Sequence, residues 1–436
     1  LMTAGAIALS LATTRLDQAI PSYNQVATLG WTFTRGPEGS RAVLSVIAGS
    51  MMTIASVTFS ITIVALQLAS SQFGPRLLRN FMKDRGNQVA IGTFISTFTY
   101  CLLVLRTVND VEGERFVPHV AVTVGLTLAL ISLGVLIYFI HHAAESIQAE
   151  NVIMAVSRDL HQTIQKLYPR SLEEKPATPS NADPRKKEGL PDAFENGARP
   201  VSAPRSDYLQ AIDENVLMEL AEKHDVVIAV DQRPGQFFFK GGELARVWPG
   251  DRLDDALVDA IRGAFYFGHR RTLTQDVEFA IDQLVEVAVR ALSPGVNDPF
   301  TAIACVDRLG SALCDLAGRE IPSPKRYDET GRLRVAFDAS TVPGIVDASF
   351  HQIRQAARGD TSVTLRLLET IAAVSRHTRD PVFQEALRRH ADAIHRGSQD
   401  GLEDPWDRQD ADQRHRDVIA ILEGRPTSPN PTEARP

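Results

Sequence analysis

The sequence predicts an α-helical membrane region followed by a soluble α+β domain that is mostly helical and contains a small β module. Residues 42–68 carry no charged side chain over 27 positions, and residues 117–140 also lack Asp, Glu, Lys and Arg. Beyond residue 141 the chain has an ordinary share of charged residues, although the whole composition is average, at 44% hydrophobic and 23% charged. The apolar residues are thus concentrated in the first third, which predicts the membrane region.

About four membrane spans are expected, at residues 1–14, 42–68, 89–105 and 117–140. A bilayer core about 30 Å thick requires roughly 20 apolar helical residues, so the second and fourth segments are long enough and the third is short. The opening segment is too short to cross alone. Because the chain begins with leucine and not methionine, we interpret this segment as the end of a truncated first span.

Basic residues in the short loops indicate the orientation. The loop after the second span carries four of them: Arg76, Arg79, Lys83 and Arg85. The loop at 106–116 is more acidic than basic, and basic loops favour the cytoplasmic side. Three cysteines are too few for a disulfide framework and favour a reducing compartment. We therefore predict a multi-pass protein of the cell inner membrane whose C-terminal domain is cytoplasmic.

The second predicted span is rich in small polar side chains. Five of them recur at steps of three, four or seven residues and share one helical face: Thr53, Ser56, Ser60, Gln67 and Ser71. One interpretation is a tight helix–helix contact, in which hydroxyls bond to the i−4 carbonyl or to a neighbouring helix. The other is a pore-lining helix with Gln67 as its bulkiest polar group. Charged residues are missing from all the spans, which disfavours active ion pumping.

A Gly-Pro pair at residues 74–75 ends this span, and a short amphipathic segment with the four basic side chains follows. Such a segment usually anchors a protein at the lipid headgroups. The alternative is that the basic side chains of several subunits form the cytoplasmic mouth of a pore, where they attract anions.

The soluble region divides into five segments. Residues 142–168 predict an amphipathic helix, either a neck between subunits or a helix that docks on its own domain. Residues 169–205 are proline-rich and charged, which predicts a flexible linker. Residues 206–252 predict a small β module, with strands at 226–230, 237–239 and 244–248. Residues 253–424 are mainly helical, with one hairpin near 327–337, and residues 425–436 are expected to be disordered.

A predicted helix at 276–292 and the corner after it contain the candidate ligands of the soluble domain. The helix ends at Ser-Pro-Gly, and Asp298 and Pro299 suit the start of the next helix. Four polar residues are candidates for binding: Asp276, Asp282, Asn297 and Asp298. Helix capping and solvated surface charge are the alternative explanations for these side chains.

Three stretches resemble a bacterial family of predicted membrane proteins known as domain of unknown function 2254. They are ASSQFGPRLLRNFMKDRGNQ (69–88), RPGQFFFKGGELARVWP (233–249) and HRRTLTQDVEFAIDQLVEVAVRALSPGVNDPFTA (269–302). The resemblance covers nearly the whole chain. It implies a multi-span N-terminal membrane region and a cytoplasmic C-terminal domain, and it implies no catalytic residue.

The motifs of common enzymes are missing: the sequence has no Gly-rich phosphate loop, no G-x-S-x-G and no H-E-x-x-H. We therefore expect neither an enzyme nor a cofactor or metal site, and the net charge of −7 disfavours nucleic-acid binding. The preferred interpretation is an oligomeric ion channel or passive pore with a cytoplasmic regulatory domain. The alternative is a membrane-anchored sensor or scaffold that binds a ligand or a protein. The expected partners are the lipid bilayer, further copies of the chain and, for a pore, a small ion.

Overall fold

The computed structural model describes residues 1–19, 36–74, 85–111, 114–146, 148–169 and 190–426. The chain forms two compact units, residues 1–152 and residues 153–436. They are called the membrane unit and the soluble unit below, after the regions that the sequence predicts there. Several predictions lie outside the described residues: the basic side chains Arg76, Arg79 and Lys83, residues 170–189 of the linker, and the tail from residue 427.

The membrane unit contains four described helices and a small antiparallel ribbon. These are α1 (Met2–Ala19), α2 (Pro37–Phe73), α3 (Arg85–Leu105), β1 (Asn109–Val111), β2 (Glu114–Phe116) and α4 (His119–Ser146). Within the described residues α2, α3 and α4 are long and apolar enough to cross a membrane, so three candidate spans are found where about four were expected. The helix α1 is not among them because its second half carries Arg15 and Asp17.

Polar contacts connect the helices of the membrane unit. The fully buried Tyr100 of α3 donates a hydrogen bond to the Ala121 carbonyl of α4 at 2.9 Å, and its hydroxyl lies 3.0 Å from that of Thr13 in α1. The Asp17 carboxylate accepts the backbone N–H groups of Val120 and Ala121, both at 2.9 Å. Because these N–H groups are among those left without partners at a helix start, Asp17 caps α4 from another helix.

The chain then continues through a mixed α/β segment. Its elements are α5 (Ala149–Leu167), α6 (Phe194–Gly197), β3 (Arg199–Ser202), β4 (Asp207–Ile212), α7 (Glu214–Lys223), β5 (Val227–Val230), β6 (Phe237–Phe238), β7 (Glu243–Trp248), α8 (Asp255–Gly263) and β8 (Phe265–Gly268). A helical segment follows with one pair of strands: α9 (Val277–Ala291), α10 (Pro299–Ala317), β9 (Lys325–Tyr327), β10 (Leu333–Phe337), α11 (Val342–Ala356), α12 (Thr361–His377), α13 (Pro381–Gly401) and α14 (Pro405–Leu422). The soluble unit is thus mostly helical with a small β module.

The β structure extends on both sides of the predicted range 206–252. One sheet has the strand order β3-β7-β5-β10-β9, and the other has the order β6-β4-β8. The strand β3 lies inside the predicted linker, and β10 lies far beyond the predicted module. The reason is that β5 is buried along its whole length and is a central strand, which requires a partner on each side.

Aspartates fix the starts of most helices in the soluble unit, and proline often follows directly. The N-cap side chains that accept a backbone N–H are Asp213, Asp254, Asp276, Asp298, Asp360, Asp380 and Asp404. Since these signals are local, the helix predicted at 276–292 agrees with α9 to within one residue at each end.

The predicted neck helix α5 packs on its own domain. Its apolar side chains Val156, Leu160 and Ile164 are buried. Close to its end, the Tyr168 carbonyl accepts a 2.8 Å hydrogen bond from Arg319. The apolar stripe is therefore covered within the chain, which agrees with the docking alternative.

Candidate functional site

The candidate site in the membrane unit lies on α2, and its geometry follows from the face that this helix buries. Met51, Ala55 and Thr58 are buried at steps of four and three residues, and Ala69 continues the same face. The helix has 37 residues and is about 55 Å long, whereas a bilayer core measures about 30 Å. One side of α2 is thus committed to packing inside the unit.

All five predicted pore-lining residues lie on the other side of α2. Thr53, Ser56, Ser60, Gln67 and Ser71, called the α2 polar stripe below, are exposed. At 100° per residue the stripe is opposite the face that carries Met51, Ala55 and Thr58. A shallow groove of about 390 Å³ runs along this side and is lined by α2 residues alone. The stripe therefore faces away from the other described helices of its unit.

The hydroxyls of the α2 polar stripe bond to carbonyls of their own helix. The pairs are Thr53 with Gly49 (3.1 Å), Ser56 with Met52 (2.9 Å), Ser60 with Ser56 (2.9 Å) and Ser71 with Leu68 (2.9 Å). Gln67 differs, because its amide has no hydrogen-bond partner among the described residues. Back-bonding makes hydroxyls tolerable in a low-dielectric medium, whereas an unpaired amide is costly there.

The predicted basic mouth is described at one residue. Arg85 is the first residue of α3 and is exposed. The other three residues of the basic mouth lie outside the described residues, so the mouth stays a prediction.

In the soluble unit, the candidates Asp276 and Asp282 share one arginine. Arg271 donates to both oxygens of Asp276, at 2.8 and 3.0 Å, and to Asp282 at 2.6 Å. Desolvation lowers the pKa of Arg271, but the two carboxylates outweigh it and raise that pKa above its usual value. Asp276 also accepts the N–H of Phe279 at the start of α9. The carboxylates are consequently occupied by a structural ion pair and a helix cap.

The backbone is adapted to this buried carboxylate. Gly235 has a φ of +100°, and a Cβ atom at this position would lie 2.1 Å from an oxygen of Asp276. Glycine is therefore required twice over, once by the left-handed φ and once by the close approach.

The other two candidates lie at the opposite end of α9. Asp298 caps α10 by accepting the backbone N–H of Thr301 at 3.2 Å and its hydroxyl at 2.6 Å. Asn297 has a φ of +48° and is exposed. The 15 residues of α9 separate this corner from Asp276 by about 22 Å. The structure thus pairs Asp276 with Asp282 and does not bring them to Asn297 and Asp298.

Sequence reasoning missed a cleft between α11 and α13, where three arginines converge: Arg354, Arg389 and Arg396. A signal was available, because charged and histidine residues recur at helical spacing on both helices. Among the described residues, no group of three or more His, Cys, Asp or Glu side chains is arranged to hold a metal ion.

Comparison with known proteins gives a match along most of the chain. A family described as "Predicted membrane protein (DUF2254)" matches residues 1–373. The uncharacterized proteins Mb1321c of Mycobacterium bovis and Rv1290c of Mycobacterium tuberculosis are each 34% identical over 388 residues, which covers 86% of this chain and 71% of the relative. No solved structure matches the chain. The family match ends before α13, so one wall of the arginine-lined cleft lies outside it.

Proposed function

The chain belongs to the DUF2254 family of predicted membrane proteins, and from this premise we propose that it forms a homo-oligomeric passive pore lined by α2. The observation that carries the proposal is that the α2 polar stripe faces away from the other described helices of its unit. Lipid offers no hydrogen-bond partner to the Gln67 amide, whereas a second copy or a water-filled path does. Association of several copies through α2 covers the stripe.

The composition of the stripe suits close helix packing around a neutral path. Gly49 and Thr53, and then Ser56 and Ser60, are small residues four positions apart, a spacing that lets helix backbones approach closely. Hydroxyls that already bond to their own backbone present weak dipoles and no charge. A path of this kind conducts small ions or neutral solutes passively, with a ring of Gln67 amides as its most polar point.

The proposal includes the location of the two units. The basic loop before α3 faces the cytoplasm by the positive-inside rule, and the protein resides in the cell inner membrane. The soluble unit is then a cytoplasmic regulatory domain without catalytic activity. The partners of the whole protein are the lipid bilayer, further copies of the chain and a small permeant ion. Nucleic acid is not a partner.

The test uses the full-length protein, purified in detergent and reconstituted into liposomes. Its oligomeric mass is measured first, and ion flux is then compared between the wild type and the Gln67→Leu and Ser60→Leu variants. Phe59→Leu is the matched control, because Phe59 is 58% exposed but lies beside the stripe. We expect an oligomer whose flux rate or selectivity changes in both stripe variants and not in the control. A monomer, or flux that is equally insensitive to all three changes, contradicts the proposal.

A second candidate function is a membrane-anchored sensor or scaffold. It is favoured by the independent cores of the soluble unit, one of which contains Leu209, Leu257 and Val335 and unites both sheets with α7 and α8. Anchoring alone does not require a domain with its own cores. A reconstituted protein without flux that binds a ligand through the soluble unit supports this function over the pore.

A further inference from the structure

The cleft between α11 and α13 has the size of a small-molecule site and an excess of positive charge. Its volume is about 590 Å³, within the usual range for ligand pockets. The ionisable side chains that line it are His351, Arg354, Arg389, His390, Arg396 and one acid, Asp347. Three guanidinium groups therefore face a single carboxylate.

That carboxylate is already engaged by two donors. Asp347 accepts hydrogen bonds from Arg389 at 2.5 Å and from Nε2 of His390 at 2.7 Å. Although partial burial acts in the opposite direction, these bonds hold the pKa of Asp347 below its usual value. Asp347 thus pairs with Arg389 and His390, and within the described residues it forms no ion pair with Arg354 or Arg396.

Arg354 and Arg396 have no acidic partner among the described residues. One nitrogen of Arg354 lies 3.1 Å from His351, and its Nε is buried without a hydrogen-bond partner there. The pKa of Arg354 lies below its usual value because the side chain is desolvated and because Arg358 and Arg396 are close, and the nearby Asp347 offsets this only in part. Like charges in such an arrangement repel each other unless an anion lies between them.

The imidazole of His390 adds an unsatisfied group. Its side chain is buried, and Nδ1 has no hydrogen-bond partner within the described part of the chain. Buried polar atoms of this kind normally have a partner. A buried imidazole nitrogen without a partner therefore belongs to one of the residues that line the cleft.

The helix dipole explains part of the charge but not all of it. Arg354 lies in the last turn of α11, where the partial negative charge of the helix end stabilises a cation. Arg396 lies more than one turn before the end of α13, where this effect is weak. Arg396 is exposed and solvated, whereas Arg354 is half-buried, so solvent stabilises the charge of Arg354 less fully.

We propose that this cleft binds a small phosphate-bearing anion with at least two negative charges, held by the side chains of Arg354 and Arg396. A guanidinium group presents its N–H donors in a planar fork that matches two phosphate oxygens. The shared chemistry fits a soluble phosphate compound and a phospholipid headgroup alike. The inference does not depend on the pore, since it concerns the soluble unit alone.

The test is calorimetric titration of the full-length protein in a neutral detergent with pyrophosphate as the probe. We expect one site per chain, and affinity about tenfold weaker in each of the Arg354→Gln and Arg396→Gln variants, as for the loss of a hydrogen bond to a charged group. Arg388→Gln is the matched control. Arg388 is on α13, the helix that carries Arg396, but it pairs with Glu423 at 3.6 Å and does not line the cleft.

For a further variant, Asp347→Asn, we expect the affinity for pyrophosphate to change in the opposite direction. Asp347→Asn removes the acid and keeps the shape, so pyrophosphate should bind more tightly, because the repulsion between acid and ligand is lost. Circular dichroism confirms that each variant is folded. No binding by the wild type, an equal loss in the Arg388→Gln control, or weaker binding in Asp347→Asn overturns the proposal.

A parallel titration distinguishes the two sources of phosphate. A short-chain, water-soluble phosphatidic acid replaces pyrophosphate under the same conditions. If the lipid binds more tightly than pyrophosphate and its binding is lost in Arg354→Gln, the cleft is a headgroup site. If pyrophosphate binds more tightly than the lipid and its binding is lost in Arg354→Gln, the ligand is a soluble phosphate compound. If neither compound depends on Arg354, the cleft is not a phosphate site.

Discussion

The membrane unit and the soluble unit stabilise their buried polar groups in different ways. In the described part of the membrane unit, most side-chain contacts between helices are made by neutral groups, such as Tyr100 with the Ala121 carbonyl and Thr97 with Ser132 at 3.0 Å. The Asp17 carboxylate at the start of α4 is the exception, and it is held by backbone N–H groups and not by a cation. In the soluble unit, the partly buried contacts are dominated by arginine–carboxylate pairs. Asp276, which pairs with Arg271, is the most buried carboxylate among them.

The difference follows from the cost of desolvating a charge. A neutral hydroxyl loses little on transfer to an apolar medium once it has one hydrogen bond, whereas an ion requires a well-placed counter-ion. An apolar helix that crosses a bilayer can provide such a counter-ion only by burying a second charge, which also costs free energy. The contrast predicts that single substitutions have larger effects in the ionic contacts than in the neutral ones.

The largest effect is expected for Asp276→Ala in the soluble unit. This change removes the cap of α9 and leaves the guanidinium of Arg271 without its bidentate partner, which should lower the free energy of unfolding by about 3 kcal/mol. Urea titration of the detergent-solubilised protein measures the change. Asp259→Ala is the control, because its carboxylate is 79% exposed next to Arg262 and should contribute less than about 0.5 kcal/mol. Equal losses of unfolding free energy in Asp276→Ala and Asp259→Ala would show that the buried ion pair contributes no more than an exposed one.

A smaller effect is expected for Tyr100→Phe in the membrane unit. The variant keeps the ring and loses the hydroxyl that bonds to the Ala121 carbonyl, so the unit should be destabilised by about 1–2 kcal/mol. Thermal unfolding in detergent provides the measurement. Tyr138→Phe serves as the control, since Tyr138 is 53% exposed. A Tyr100→Phe protein as stable as the wild type would show that the hydroxyl is dispensable.

A pH-dependent effect of about 1 kcal/mol is expected at Asp328, near β10. Burial raises the pKa of Asp328, but hydrogen bonds from Thr330, Arg332 and Arg334 outweigh it and lower that pKa from 3.8 to about 2. Since the folded-state pKa is depressed, the stabilisation is complete above pH 3.8 and is lost as the pH falls toward 2. Unfolding curves at pH 5 and pH 2.5 should therefore differ less in Asp328→Asn than in the wild type, and an unchanged difference would contradict the assignment.

The smallest effect is expected for the hydroxyl pair between α3 and α4. A double-mutant cycle with Thr97→Val and Ser132→Ala should give a coupling energy of about 0.6 kcal/mol, the typical value for such pairs in membranes. Thr99→Val replaces Thr97→Val in the control cycle, because Thr99 bonds to the Ile95 carbonyl of its own helix. A coupling energy larger than the loss of unfolding free energy in Asp276→Ala would reverse the comparison between the two units.

Local signals in the sequence predicted much of the fold. The uncharged segments located α2, α3 and α4, and Asp298 with Pro299 located the start of α10. The periodicity of the α2 polar stripe placed its five members on one face, as the structure has them. These features need no long-range contact, because each depends on residues within one or two helical turns.

Other features depended on residues far apart in the chain. The segment around Val201 reads as a linker, and it becomes a strand because β7 is available as a partner. Asp276 and Asp282 read as free carboxylates, and Arg271 occupies both. The cleft remained hidden because Arg354 and Arg396 lie on separate helices, and neither helix alone shows that the cations face each other.

The sequence by itself predicted candidate membrane spans in the N-terminal region, a mostly helical region after them and a polar face on one span, because hydropathy and helical periodicity are properties of neighbouring residues. The tertiary structure decided that this polar face is turned away from the other described helices of its unit, that Asp276 and Asp282 are paired with Arg271, and that Arg354 and Arg396 line one cleft. Orientation and pairing are decided by which elements pack together, and that packing is set by long-range burial of apolar surface rather than by any single segment.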